Sequence, residues 1–440
     1  MTNPRRVALD ALVRIEDGAF AHILVPQLLA RTRLPGRDRG LVTELVYGTV
    51  RMQRALDFQL ARVSNQAVPD LEPDVRAAVR LGAYQLFIGI PAHAAVSETV
   101  EVVAARQRGF VNGVLRALAR VGPPWSWPAG REIGDLGVRT SHPDWIVELL
   151  VAEYGMADAL ATLALASEPA PVTLRVNPMR ATPESVEREL RSAGVDSTRG
   201  ELVPEALVLR EPGDIGALAP VREGRATPQD QASQAVADTL GAQPGDRVLD
   251  IAAAPGGKTG AIGERMGDTG LVVAEDAYAG RMRLLRRGMA RLGLEHVHAI
   301  VADGRSRPVR AAAFDRVLLD APCSGLGVLR RRPDARWRVQ PEDVDTLAAL
   351  QQAMLLEAAA AVCPGGRLVY AVCTLTAAET TAIDTYAERT LPEFVAVEHS
   401  SSPWRAHGRG ALLLPSDART DGMYVLVLER VNPSGAVRPD

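Results

Sequence analysis

Cys323 and Cys373 are the residues of this sequence best suited to covalent chemistry. Each stands where an apolar run stops, Cys323 in FDRVLLDAPCSGLG (314–327) and Cys373 in GRLVYAVCTLT (366–376). A free thiol has a pKa of ~8.5 and is only slightly ionised at neutral pH, yet its thiolate is a strong nucleophile. Metal binding is a rival use, but no close cysteine or histidine completes a ligand set around either thiol. A redox pair is a second rival, weakened because the two residues are far apart in sequence rather than C-x-x-C. The third cysteine, Cys363 in AVCPGGRL, falls where a helix gives way to a glycine turn and reads as packing.

A second chemical feature is LDIAAAPGGKTG (249–260). A glycine turn between a strand and the helix it feeds lets backbone approach a ligand and aims helix N–H groups at it. A phosphate is one such ligand, because AAAPGGKT half matches G-x-x-x-x-G-K-[ST], with Ala252 where glycine is required. S-adenosylmethionine is the other. It wants a carboxylate after the second strand for its ribose, where Asp276 stands beside Glu275, and a polar residue after the third, where Asp303 stands. With Asp320 ending a further strand, the nucleoside reading leads and a P-loop ATPase is the rival. Lys258 is the only lysine in the chain, all other basic residues apart from histidine being arginine. It is expected to set a compact ammonium against the acids of the site, where a planar guanidinium does not fit.

The elements that must position these residues follow from periodicity. Residues 1 to about 120 show helical spacing, with Val7, Leu9, Leu12, Val13 and Ile15 in the first stretch and Gly18 as its stop. VGPPWSWPAGREIGDLG reads as a linker. A small α+β module follows, with a strand at PVTLRVNP, a helix from Thr182 with Pro183 at its first position, and a strand at ALVLR. From Thr227 apolar runs alternate with helices, which predicts a mostly parallel sheet covered on both faces. Ligands bind at the carboxyl ends of such strands, so Cys323 and Cys373 could share one cleft. The expected domains are 1–125, 140–225 and 226–432.

The chain has 440 residues, 47% of them apolar, a length that suits about three domains. No run of ~18 uninterrupted apolar residues predicts a membrane span. The N-terminus has no apolar core of a signal peptide. Three cysteines are too few and odd in number for a disulfide framework, which points to a reducing cytoplasm. The net charge of −3 gives no global sign of nucleic acid. Arginines nevertheless cluster at 31–39, 281–287, 304–310 and 329–338. Solvated helix faces explain most of these. RRRPDARWR differs, because Trp337 among arginines suits phosphate contact and base stacking.

Thiol, methyl donor and basic surface combine into one reaction. Cytosine C5 is not nucleophilic, but attack of a thiolate at C6 makes C5 enamine-like and able to take a methyl from a sulfonium. A carboxyl such as Asp320 near N3 would stabilise the developing charge. A proton must then leave C5 before the thiol is eliminated, so two cysteines allow one to attack and one to assist release.

At these residues the chain resembles the RsmB/Sun (Fmu) family of 16S rRNA cytosine-5 methyltransferases. FDRVLLDAPCSGLGVLRRRPDARW is the most specific match, and TPQDQASQAVADTLGAQPGDRVLDIAAAPGGKTG resembles the approach to the cofactor loop. RRVALDALVRIEDGAFAHILVPQLLA, RDRGLVTELVYGTVRMQRALD, LRLGAYQL and GFVNGVLRALAR resemble a NusB-like domain, and LRVNP the small middle domain. The resemblance implies an all-α NusB-like RNA-binding domain, a small α+β module and a C-terminal Rossmann-like methyltransferase domain. It implies that Ala252, Ala253, Ala254, Pro255, Gly256, Gly257, Lys258, Asp276, Asp303 and Asp320 line the S-adenosylmethionine site. Asp276 is preferred to Glu275 because DAYAGR keeps the family's spacing to Arg281. Cys373 matches the nucleophile and Cys323 the cysteine that assists release, with Asp320 and Lys258 beside them. The residues alone do not rank the two thiols, since DNA cytosine-5 methyltransferases attack from a Pro-Cys like Pro322-Cys323. Two departures stand out: Ala252 where the family often has cysteine, and CTLTAAET after the nucleophile, which keeps Glu379 but has Thr380 for asparagine. The implied partner is 16S rRNA or a small-subunit assembly intermediate, with no membrane or metal, acting as a cytoplasmic monomer. An antitermination-like RNA-binding protein with an inactive methyltransferase half, and a methyltransferase for another RNA, are the alternatives.

Overall fold

The computed structural model describes residues 3–267, 269–306, 308–398 and 401–432. Arg307 of the 304–310 arginine cluster and His399 at the end of the strand expected at EFVAVEH lie outside them. The chain divides into two compact units, one of Met1–Pro169 with Leu329–Arg338, the other of Ala170–Val328 with Val339–Asp440.

The first unit is helical throughout its described residues. Its opening helix, Pro4–Glu16, starts where Asn3 Oδ1 accepts the Arg5 N–H at 2.8 Å, and proline occupies the first position, where no N–H is missed. Val7, Ala8, Ala11, Leu12 and Ile15 line its buried face. Leu45, Leu56, Leu60, Leu81, Leu115 and Leu118 from later helices complete the core with no exposure. Gly48 lets the Tyr84 ring approach the helix backbone; a Cβ there would overlap the ring. The proline-rich stretch expected as a linker is partly packed. Trp125 is buried, its ring stacks edge-on to Trp127 at 6.4 Å, and a helix forms at Ile133–Thr140. Helix Asp144–Ala166 is long and apolar enough to cross a membrane. It is broken at Gly155 (φ 74°) and buries Ile146, Val147, Leu150 and Leu163 within the unit.

Residues 329–338 correct the sequence reading. Arg336 is fully buried and donates to the carbonyls of Ala166 (2.9 Å), Ser141 (3.0 Å), Leu329 (3.2 Å) and Arg51 (3.4 Å). Three of these end helices, where carbonyls lack intrahelical donors and the dipole is negative. Trp337 Nε1 donates to Val50 O at 2.8 Å, and its ring packs on the helical core. The arginine–tryptophan pair is therefore a plug for helix ends and not a surface for bases and phosphates.

The second unit holds two sheets. The smaller comprises β1 (Val172–Val176), β2 (Ser197–Arg199), β3 (Leu207–Leu209) and β4 (Ala226–Pro228), antiparallel in the order β2-β3-β1-β4. Its helix Pro183–Ser192 begins at Thr182, which caps the Ser185 N–H. The larger comprises β5 (Arg247–Ile251), β6 (Leu271–Asp276), β7 (Val297–Val301), β8 (Phe314–Asp320), β9 (Val362–Val372), β10 (Phe394–Ala396), β11 (Arg405–His407), β12 (Gly410–Leu413) and β13 (Met423–Arg430). The order is β11-β12-β13-β9-β8-β5-β6-β7, with β10 on β13. Only β9-β8-β5-β6-β7 is parallel; β10 to β13 are antiparallel. The expected mostly parallel sheet is thus mixed, because β11 and β12 are joined by a tight turn that only antiparallel neighbours can use. Strand order reverses between β5 and β8, the place where sheets of this kind bind ligands at the carboxyl ends of their strands.

Candidate active site

The cofactor loop leaves β5 at Ile251. Ala252 adopts φ 59°, a left-handed conformation costly for a residue with a Cβ. The Ala253 N–H donates to Glu275 O at 2.9 Å, tying the loop to the end of β6. Gly256 (φ 105°) then turns the chain into helix Gly257–Arg265. Arg281 donates to Ala254 O and stands 3.4 Å from Asp276 Oδ2. Arg175 of β1 braces the helix from behind. It forms a two-pronged pair with the buried Glu264 at 2.8 Å and donates to Gly257 O at 2.7 Å. That geometry suits a planar guanidinium.

Several carboxylates meet at this end of the sheet. Asp276 is buried; its Oδ1 accepts the Tyr278 N–H at 2.9 Å, while Oδ2 has no hydrogen bond. Glu275 is equally buried with Oε2 unbonded, and burial followed by the nearby Asp303 charge pushes its carboxyl up to about 7. Asp303 is half-buried and paired with Arg305 at 2.6 Å, which holds it down at about 2. Asp250, on β5, was not singled out by sequence reasoning. It is fully buried, accepts Thr259 Oγ at 2.6 Å, leaves Oδ1 unbonded, and is pushed up to about 7 by burial. An acid inside the apolar run VLDIA was the available signal. Unbonded buried oxygens at the ends of β5 and β6 suit the hydroxyls of a nucleoside. The same oxygens would repel a triphosphate.

Lys258 Nζ lies 2.8 Å from Asp320 Oδ2, at the end of β8. Burial alone would lower this ammonium, but the charges of Asp320, Cys373 and Asp250 outweigh it and the net shift is upward. Lys258 therefore remains charged.

The structure brings the two thiols together. Cys323 follows β8 and Cys373 follows β9, and their sulfurs are 3.4 Å apart. Adjacent parallel strands deliver them, with Ala321 N–H on Ala371 O at 2.9 Å and Gly327 N–H on Cys373 O at 3.0 Å. The Cys323 thiol is pushed well up, first by its hydrogen bond to Cys373, then by burial and the neighbouring acids. Either sulfur can donate in this contact. Cys363 sits at the other end of β9, 3.7 Å from Asp315 Oδ1. Glu379, kept by the sequence but given no role, is buried behind both thiols. Thr380 is buried too, and its hydroxyl donates to Thr376 O at 2.8 Å. Among the described residues no group of three or more His, Cys, Asp or Glu is arranged to hold a metal.

Residues 237–429 match the family described as 16S rRNA methyltransferase RsmB/F, 2–120 the NusB family, and 142–216 the ferredoxin-like domain of RsmF/B-like methyltransferases. Ribosomal RNA small subunit methyltransferase B of Pseudomonas syringae pv. tomato is 35% identical over 98% of this chain and 97% of its own length. The Vibrio cholerae protein of the same name is 34% identical over 97% and 98%. The solved structure of PH0851 superposes with a TM-score of 0.84 at 25% identity, covering 98% of this chain and 99% of that one. A helical NusB domain, a small middle domain and a Rossmann-like methyltransferase sheet thus form one chain, and that chain belongs to the S-adenosylmethionine-dependent RsmB/F family of RNA methyltransferases.

Proposed function

We propose that the chain methylates C5 of a cytosine in 16S rRNA, free or in a small-subunit assembly intermediate, through a covalent bond from Cys373 to C6. The observation that carries this reading is the pair of sulfurs 3.4 Å apart at the ends of β8 and β9, beside the Lys258–Asp320 ion pair. S-adenosylmethionine supplies the methyl group as a sulfonium. Ala252–Lys258 would hold it through backbone, Asp276 through the ribose and Asp303 near the adenine; the buried Asp276 Oδ2, which accepts no hydrogen bond, supports this.

Cys373 is assigned the attack because it matches the nucleophile of the family that the chain belongs to, and Cys323, 3.4 Å away, the cysteine that assists release. The Asp320 carboxyl near N3 would stabilise the developing charge, and Lys258 orients that carboxyl through its 2.8 Å contact. Bonding of Cys373 to carbon removes the largest of the causes that hold up the Cys323 thiol. Cys323 then loses its proton to solvent more readily and, as thiolate, accepts the proton that must leave C5. Loss of the proton re-forms the C5–C6 double bond and expels Cys373 as thiolate.

The functional division proposed is 1–125 for RNA binding, 140–225 for RNA recognition and 226–432 for catalysis. A groove of about 910 Å³ between helices Ala92–Glu101 and Arg108–Val121 supports the first assignment. Arg108, Asn112, Arg116 and Arg120 line it at four-residue spacing, about 6 Å of helix rise apart, with His93 opposite. Arginines so spaced suit successive backbone phosphates. The enzyme works in the cytoplasm, where this RNA is made. Bisulfite mapping of 16S rRNA from a strain lacking the gene tests the reading. One cytosine should become unprotected and regain protection when the gene is restored. An unchanged map overturns the assignment of substrate or product.

A further inference from the structure

The carboxylate of Glu379 accepts five hydrogen bonds from neutral donors and faces no cation within ion-pair distance among the described residues. Oε1 takes the Ser324 N–H at 2.8 Å and Gln351 Nε2 at 3.0 Å. Oε2 takes the hydroxyls of Ser324 at 2.5 Å, Thr374 at 2.9 Å and Thr376 at 2.9 Å. The Glu379 carbonyl accepts Tyr370 Oη at 2.8 Å, so the residue is held at both ends. Glu379, Thr374, Thr376, Gln351 and Tyr370 have no more than 2% exposure. A polar carboxyl in such a place is costly unless its lone pairs are used, and here the donors come from two separate loops and a helix.

The identity of two donors is informative. Ser324 is the residue after Cys323, and Thr374 is the residue after Cys373. Their hydroxyls also meet each other at 2.6 Å. One carboxylate therefore bridges the two loops one residue behind each sulfur. Gln351, from helix Pro341–Ala361, adds a third tie by donating to both Pro322 O at 2.9 Å and Glu379 Oε1. The sheet ladder fixes β8 beside β9 but ends at Asp320 and Ala371, before either cysteine. Beyond the ladder, hydrogen bonds across the two loops through Glu379 supplement the Ala321 and Gly327 amides.

We propose that Glu379 is a positioning residue that locks the Cys323 and Cys373 loops together and so sets the thiol–thiol contact on which release of product depends. It touches neither substrate nor cofactor and acts through Ser324 and Thr374. The inference rests on the two-thiol reading above, but its geometry can be tested without it. It also accounts for the tolerance of Thr380 where the family has asparagine. The Thr380 hydroxyl bonds to Thr376 O at 2.8 Å and to His407 Nε2 at 3.4 Å and makes no bond to the Glu379 carboxylate, so it lies outside the bridge.

Thr374 and Thr376 give a matched comparison, since both donate to the same oxygen at the same distance and both are buried. Only Thr374 adjoins a catalytic thiol. Thr374→Val, Thr376→Val and Glu379→Gln would be compared by melting, by methylation kcat and KM, and by the rate at which diamide joins Cys323 to Cys373. In that reaction two thiols lose two protons and two electrons to the diazene, which becomes a hydrazine. Glu379→Gln and Thr374→Val should slow cross-linking by about tenfold or more and lower kcat by up to about 10²-fold with KM little changed, because misplacement of a reacting group by an ångström costs that much. Thr376→Val should lose comparable melting temperature yet keep most of both rates. If Glu379→Gln fails to fold, the two threonine variants carry the comparison. Equal losses in both threonine variants, tracking melting alone, would overturn the proposal. Slow cross-linking with full methylation would leave the bridge standing and overturn the two-thiol reaction instead.

Discussion

Replacing each sulfur in turn should give two enzymes that fail in different ways. Cys323→Ala removes a hydrogen bond between sulfurs 3.4 Å apart, a stability loss of about 1 kcal/mol, so the fold survives. Attack by Cys373 and methyl transfer remain open. What is lost is the base for the C5 proton, and positioned acid–base catalysis contributes about 10²–10⁴-fold. Elimination slowed by that factor becomes rate-limiting, and the RNA stays bonded to protein. Cys373→Ala removes the attacking atom and can form no adduct. The assay is denaturing electrophoresis of each variant with end-labelled 16S rRNA, with and without S-adenosylmethionine. A slow-migrating, labelled protein band should appear for Cys323→Ala only, and strongly only with cofactor. Cys363→Ala should behave as wild type, since that thiol faces Asp315 at the far end of β9. A trapped band from Cys373→Ala with an inert Cys323→Ala would reverse the roles. Activity in both without any band would refute covalent attack by either thiol.

Lys258→Arg should leave melting intact but cut methylation severely, because a planar fork cannot reproduce a single 2.8 Å contact in the space behind Asp320; near-normal turnover would refute the need for a lysine. Arg116→Glu with Arg120→Glu should weaken RNA binding and make its salt dependence shallower by about two phosphate contacts, with cofactor affinity unchanged; an unaltered slope in filter binding would remove that groove from the RNA path. Asp250 has a folded pKa of about 7 against an unfolded value of ~3.9, so the native state holds an extra proton between these limits and wild-type stability falls as pH rises through them. Asp250→Asn lacks this loss: without cofactor it should match wild type near pH 4 and gain on the order of 4 kcal/mol relative to it above pH 7, and parallel melting curves across that range would contradict the burial argument.

Legibility in the sequence tracked how local the cause was. The parallel core β5 to β9 shows as apolar runs because strands covered on both faces need nothing else. On the antiparallel edge, β10 and β13 showed as EFVAVEH and MYVLVLER, but β11 and β12 did not, since they are three and four residues long and carry no period. Cys323, Cys373, Lys258 and Asp320 stood out by residue type at strand ends, and the fold gathers them. Asp250 was missed although an acid inside the apolar run VLDIA marked it, and Glu379 was given no role because its partners Ser324 and Gln351 are distant in sequence. The same limit explains the misreading of Arg336 and Trp337. Arginine beside tryptophan signals RNA only when both are exposed, and no local pattern reveals that their partners are helix ends some 170 to 290 residues away.

The charges of the site also decide between the two cofactors that the glycine loop allowed. Asp250, Glu275, Asp276 and Asp320 crowd the carboxyl ends of β5, β6 and β8, and the first two are already pushed up to about 7 by burial. Against them stand Lys258, taken by Asp320, and Arg281, shared between Ala254 O and Asp276. A P-loop spends its lysine on phosphate oxygens; here that lysine is 2.8 Å from a carboxylate. A triphosphate would add several negative charges to a cluster that cannot ionise all of its own acids. A sulfonium brings a positive charge to it, and ribose hydroxyls can donate to Glu275 Oε2 and to Asp276 Oδ2, which accept no hydrogen bond, the latter standing 3.4 Å from Arg281. The left-handed turn at Ala252 fits the same choice, because the loop works through backbone N–H groups and asks little of its side chains.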